Sequence, residues 1–172
     1  MLIPLTQGKF TLIDEEDKDL AKFNWYASQE GTKSNPLFYA RRHITVHHKQ
    51  ITIKLHRIIL ERKLGRELET GEEVDHRNGN SLDNGRTNLR LATKSENRRN
   101  QRRNNNQKSS KYKGVSKHRN KWRAMIWLNG HQKHIGNFVD EADAARAYDE
   151  AALQHFGEFA KTNLSGGKTN VR

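Results

Sequence analysis

Asp75, His76, Asn88 and Asn97 fall within VDHRNGNSLDNGRTNLRLATKSEN, residues 74–97, and their side chains can do chemistry in combination. The carboxylate of Asp75 and the amide oxygen of Asn97 are hard donors. They suit one Mg²⁺ (or Mn²⁺) that keeps its other positions for water and phosphate. A neutral His76, near its ordinary pKa of ~6.5, can take a proton from water. The Asn88 carbonyl can accept from one imidazole nitrogen and leave the other as base. These are the parts of a one-metal hydrolysis of a phosphodiester. Local capping and turn formation would account for any single one of the four, but not for the set.

To bring them together the chain needs a strand, a loop, a second strand and a helix. Glu73–His76 predicts the first strand and Arg77–Asn80 a turn. Asn88–Ala92 predicts the second strand, with Leu89 and Leu91 on one face. Thr93 and Glu96 form the pattern of a capping box, which sets Asn97 in the first turn of a helix. Neighbouring strand residues point to opposite faces, so Asp75 and His76 can cooperate only at the strand's end. Upstream, LHRIILERKLG (55–65) predicts a helix with Leu55, Ile58, Ile59 and Leu64 at helical spacing and Gly65 closing it. His56, on that helix, is read as a packing residue. Residues 1–54, through KFTLID, PLFYARR and ITVHHKQITIKL, predict a small antiparallel sheet.

Charge points to the partner. The 172-residue chain carries 32 Lys and Arg against 20 Asp and Glu, a net +12. Twelve of those bases lie between Glu96 and Asp140, an interval with no acid, so the rest of the chain is balanced. Concentrated excess of this kind suits a polyanion such as a phosphate backbone. There is no cysteine, which removes disulfides and thiolate metal sites and fits a reducing cytoplasm. No apolar run is long enough for a bilayer, and the start lacks the pattern of a signal peptide.

Residues 101–111 have almost no apolar character and read as a basic linker, after which the pattern changes. Strands are predicted at Gly114–Ser116, Trp122–Leu128 and Lys133–Asn137, with Asn129-Gly130 as a hairpin turn. Trp122, Ala124 and Ile126 share one face, and Arg123, Met125 and Trp127 the other. Helix DEADAARAYDEAALQHFG, capped by Asp140 and ended by Gly157, can cover only one face of so small a sheet. The face with Arg123, Met125 and Trp127 is left for a partner. His131 and His134 would point opposite ways along a strand, so no zinc site is read there.

DH, Asn88 and the Asn97 of SENRRN, with LHRIIL before them and NLRLAT between, resemble the HNH nuclease motif in its ββα-metal form. The third position here is Asn where many members have His. Together with the lead-in LTQGKFTLIDEED, the likeness extends to phage and intron-encoded HNH homing endonucleases. It implies Asp75 and Asn97 as ligands of one metal ion, His76 as general base and Asn88 as its orienting partner. YKGV, KW.A.I, G.F, the AA.AYD..A helix and the closing Asn163 resemble the AP2 DNA-binding domain. That resemblance implies that Lys113, Ser116, His118, Arg123, Met125, Trp127, Gln132 and His134 face duplex DNA. Met125 and Trp127 depart from the plant pattern, so the base preference does not carry over; the loop Lys117–Asn120 is also one residue shorter.

The expected whole is an α+β chain. It has a β-rich region at 1–54, a nuclease module at 55–100, the linker at 101–111, an AP2-like domain at 112–164 and a tail at 165–172. Arg98, Arg99, Arg102, Arg103, Lys108 and Lys111 would track phosphates. The expected partner is double-stranded DNA, bound by a monomer in the host cytoplasm without a membrane or a small-molecule cofactor. The alternative is a DNA-binding regulator with an inert nuclease module. RNA binding is weaker, since no aromatic stacking motif of the RRM kind is present.

Overall fold

A computed structural model of the chain describes residues 1–32, 35–100 and 109–164. The tail at 165–172, most of the expected linker and its Arg102, Arg103 and Lys108 lie outside the described residues. Contacts divide the chain into two units, Met1–Asn97 and Arg98–Arg172. No helix among the described residues is long and apolar enough to cross a membrane.

In the first unit β1 (Leu2–Pro4) pairs antiparallel with β2 (Phe10–Leu12), and a 3-10 helix spans Glu15–Lys22. A second sheet has the order β3 (Tyr26–Thr32), β4 (Asn35–Val46), β5 (Lys49–Lys54). The region thus holds two small antiparallel sheets where one was expected. His47 and His48 both adopt positive φ in the two-residue β4–β5 turn, which matches the twist of the strands.

Helix α1 (Leu55–Leu64) ends as expected at Gly65, whose left-handed conformation (φ 69°, ψ 16°) suits a residue without Cβ. Its buried face carries Leu55, Ile59 and Leu60, together with His56, while Leu64 is exposed. Leu55, Ile59 and Leu60 join Ile3, Ile13, Trp25, Ala40 and Leu89 in one core, each large apolar group contributing about 1.5–3 kcal/mol. The hairpin β6 (Glu72–His76) and β7 (Leu89–Thr93) follows, then α2 (Lys94–Asn100). The capping box is formed: Glu96 N–H donates to Thr93 Oγ1, and Thr93 N–H donates to Glu96 Oε2 at 2.8 Å.

The N-terminal segment is built into this unit. Leu12 N–H donates to the Leu82 carbonyl and Asn84 N–H to the Leu12 carbonyl, both at 2.8 Å. Fully buried Asp17 accepts from Arg86 Nε at 2.8 Å and Nη2 at 3.0 Å, and Asp14 accepts the Arg86 N–H at 2.7 Å. The acids of DEED therefore hold the loop between β6 and β7.

The second unit is a sheet of order β10 (His131–Phe138), β9 (Lys121–Leu128), β8 (Val115–His118), backed by α3 (Glu141–Phe156). Asn129 and Gly130 make the predicted turn, both at positive φ. Ala144, Ala145 and Ala152 are fully buried, and their small size lets α3 approach Val115, Ala124 and Ile126 closely. Asp140 holds the N-cap position without a side-chain cap hydrogen bond. Ser109 and Ser110, within the range expected as linker, accept from the N–H groups of Lys117 and Tyr112 and so join the fold of this unit. Buried Asp149 accepts from Asn163 N–H, Asn163 Nδ2 and Leu164 N–H, while Asn163 Nδ2 also bonds the Lys113 carbonyl. The AYD helix and Asn163 thus tie the segment after α3 to the residues just before β8.

Candidate functional site

Register in the β6–β7 hairpin pairs Glu73 with Ala92, Asp75 with Arg90 and His76 with Leu89. Glu73 and Asp75 therefore share one face, and Val74 and His76 the other. Asp75 is 3% exposed and accepts from Arg90 Nε at 2.7 Å, with Arg90 Nη2 at 2.6 Å from the same oxygen, Oδ2. Asn97 Nδ2 donates to Glu73 Oε2 at 2.7 Å. An amide that donates to a carboxylate turns its own oxygen away from it, so Glu73 orients the Asn97 oxygen. Asp75, Glu73 and Asn97 are thereby associated with one face of the hairpin. Asn97 bonds Glu73 instead of contacting Asp75 directly, a step of ~6.6 Å along the strand.

His76 ends β6, 7% exposed, and its Nε2 lies 3.0 Å from Asn84 Oδ1. The expected partner, Asn88, does other work. Its Oδ1 accepts Asn78 N–H at 3.0 Å and its Nδ2 donates to the Asp83 carbonyl at 2.7 Å, pinning the loop. The orienting amide on His76 is Asn84, which sequence reasoning missed because Asn84-Gly85 reads as one more turn.

His56 was expected to be a packing residue, and it is buried, with its ring edge-on to His76 at 5.4 Å. Its Nδ1 has no hydrogen-bond partner among the described residues. Burial, and then the neighbouring His76, hold its pKa well below the ordinary value, so it is neutral. Tyr39 lies 5.3 Å from His56 and 6.3 Å from His76, ring to ring. Burial raises its phenol pKa, and the charges of Glu73 and Asp75 add to the effect. Burial also lowers the His76 pKa, against the hydrogen bond to Asn84 and the charge of Asp75. A cleft of about 600 Å³, walled in part by Tyr39, Lys54, His56, Glu73 and Asn97, opens beside these groups. Asp75 and His76 do not themselves line it.

Among the described residues no group of three or more His, Cys, Asp and Glu is arranged to hold a metal. The donors that are present, carboxylates and an amide oxygen, suit a cation that retains most of its water, as Mg²⁺ does.

In the second unit, cross-strand pairs fix which side chains share a face. Ser116 is opposite Arg123, Gln132 opposite Trp127, and His134 opposite Met125. His118 follows Ser116 by two residues and joins this face, as do its partner Lys121 and Arg123's other partner Asn137, neither expected. Trp127 is 62% exposed there, and no strand of this sheet contains an acid. His131 and His134 pair with Leu128 and Met125, on opposite faces as expected.

Lys113 is a correction. It precedes β8, and its amine donates to the Arg99 carbonyl instead of reaching the outward face. Burial, and then Lys161, pull its pKa to about 8. Arg99 stacks its guanidinium 4.7 Å from the centre of the Phe156 ring, whereas Arg98 and Lys111 are exposed.

A strand–loop–strand–helix module bearing Asp, His and two Asn defines a class, and comparison with known proteins agrees. Residues 54–99 match the model of a family described as HNH endonuclease. An uncharacterized HNH endonuclease of Acanthamoeba polyphaga mimivirus is 33% identical over 145 residues, which cover 84% of this chain and 68% of that protein. The chain belongs to the HNH endonuclease family.

Its second part is similar to AP2/ERF-type domains. An AP2/ERF and B3 domain-containing protein of Oryza sativa subsp. japonica is 48% identical over 66 residues. The AP2-like ethylene-responsive transcription factor ANT of Arabidopsis thaliana is 38% identical over 71 residues. These matches cover 38% and 34% of this chain but only 18% and 13% of the plant proteins. No solved structure matches the chain.

Proposed function

We propose that the protein is a site-specific DNA endonuclease of the homing type, carried by a phage or intron and acting in the host cytoplasm. In this reading the module at 55–100 cuts and the AP2-like part at 112–164 reads. What supports it most is the hairpin that sets Asp75 and Glu73 on one face, with Asn97 bonded to Glu73, and leaves His76 at the strand's end.

Asp75 and Asn97 would hold the cation, Asp75 with its carboxylate oriented by Arg90. Mg²⁺ or Mn²⁺ bound there supplies positive charge to the scissile phosphate and the departing 3′ oxygen. His76 takes a proton from water, which attacks phosphorus in line. The P–O3′ bond breaks, the departing 3′ oxygen takes a proton from solvent water, and His76 returns its own to solvent, leaving a 5′ phosphate and a 3′ hydroxyl. One such site per monomer makes a nick the product.

Incubating the full chain with supercoiled plasmid carrying a randomised insert tests this. Open circles should form with Mg²⁺, vanish with EDTA and be strongly reduced in Asn97→Ala. If no divalent cation supports any nicking, the enzyme reading falls and DNA binding alone is left, the regulator alternative.

Two further results are expected. Affinity for DNA should fall by several decades per decade of salt if ~6–10 phosphates are neutralised, as measured by titration at a series of salt concentrations. A flat response would remove the case for backbone tracking by Arg98 and the other bases. Arg123→Ala should relax site choice more than it slows cutting, since a bidentate contact to guanine discriminates by ~1–3 kcal/mol. Sequencing of cleavage products would read that choice, and an unchanged site profile would remove Arg123 from the reading face.

A further inference from the structure

The N-terminal hairpin reaches the proposed general base through two buried side chains. Thr11, on β2, and Asn84, in the β6–β7 loop, are both 0% exposed. Thr11 Oγ1 lies 2.8 Å from the Leu82 carbonyl, Asn84 Nδ2 is 2.7 Å from Thr11 Oγ1, and Asn84 Oδ1 is 3.0 Å from His76 Nε2.

The direction of each bond follows from the first. A backbone carbonyl only accepts, so the Thr11 hydroxyl spends its proton on Leu82. Its oxygen can then only accept from Asn84, which must present its NH₂ group there. The amide oxygen of Asn84 is thereby turned to His76, and a carbonyl oxygen requires a proton on the nitrogen it faces. His76 Nε2 carries the hydrogen and Nδ1 the lone pair. The Leu82 carbonyl is itself fixed by the N–H of Leu12, the residue after Thr11.

We infer that Thr11 and Asn84 are positioning residues that hold His76 in the Nε2–H tautomer, with Nδ1 as its proton-accepting nitrogen. This inference rests on the nuclease reading for its role in cleavage, although the tautomer can be observed without any cleavage. The N-terminal hairpin thereby aligns the base from more than sixty positions away in the chain.

The substitutions that test it keep the fold. Thr11→Val preserves shape and removes the hydroxyl, Thr11→Ser keeps the hydroxyl, and Asn84→Asp keeps an oxygen toward His76. Thermal melting verifies that each variant is folded. Two-bond ¹H–¹⁵N correlation spectra of ¹⁵N-histidine protein, with His76→Ala identifying the signal, report the tautomer. Wild type should show His76 protonated at Nε2 alone, and Thr11→Val should show a mixture of tautomers. Single-turnover nicking by Thr11→Val should fall by ~10–100-fold at unchanged affinity for DNA, with Thr11→Ser recovering most of the rate.

A wild-type His76 protonated at Nδ1 overturns the inference. So does a Thr11→Val protein with the wild-type spectrum and rate. If wild type shows the Nε2–H form and Thr11→Val loses it while neither protein nicks, the relay stands and the nuclease reading fails.

Discussion

His76→Ala is expected to slow strand cleavage by ~10²–10⁴-fold, the usual contribution of a positioned general base, while DNA affinity changes by no more than about twofold. The side chain is nearly enclosed by His56, Tyr39 and Asn84, so it contributes little direct surface to a bound duplex. Truncation also leaves a cavity and an Asn84 carbonyl without its donor, at a cost of about 1–3 kcal/mol. Rate and stability effects must therefore be separated. His76→Gln retains a polar group near Asn84 but supplies no base, and it should lose the rate with a smaller loss of stability. Imidazole added to His76→Ala should restore part of the activity, because the cavity has the shape of the lost ring. Wild-type nicking by either variant would remove His76 from the chemistry, even if Asp75 and Asn97 proved essential.

Local order was legible wherever short-range chemistry dictates it. The Thr93–Glu96 box, Gly65 at the end of α1, the Asn129-Gly130 turn and the two faces of β9 each depend on residues within a few positions of one another. Contacts across the chain were not legible. Thr11 bonds a side chain 73 positions away, and Asp17 grips Arg86 across 69. Nothing in KFTLIDEED marks a segment that braces a distant loop.

That Asn84, and not Asn88, bonds the imidazole was hidden for a related reason. Both are amides in one loop, and only the closed turn decides which of them reaches the imidazole. The resemblance favoured Asn88, whose side chain spans the loop from Asn78 to Asp83 instead. Lys113 was misplaced because position in a motif does not reveal a backbone carbonyl waiting within reach of the amine. Glu73 escaped notice because a single acid on a short strand carries no signal until α2 sets Asn97 beside it.

Gly114→Ala should destabilise the second unit by roughly 2–5 kcal/mol, which for a sheet and a single helix is enough to abolish much of its folded population. Gly114 has φ 75°, where a Cβ is strained regardless of space, and space is lacking too. A Cβ there would collide with the Tyr148 ring and come within 2.7 Å of the Met125 carbonyl oxygen. Tyr148 is itself buried against Ile126 and Ala152, so it has no open side to retreat to. Met125 N–H donates to the Gly114 carbonyl at 2.8 Å, so a shift of the Gly114 backbone also loosens β9, the strand that displays Arg123 and Trp127. Calorimetry of the full chain should show the transition of this unit moved down while that of the Met1–Asn97 unit stays in place. Nicking should persist with its site preference lost, since the core that supports Asp75, His76 and Asn84 is built from residues of the first unit alone. An unmoved transition would contradict the packing at Tyr148. Retained selectivity with the unit melted would place sequence reading elsewhere in the chain.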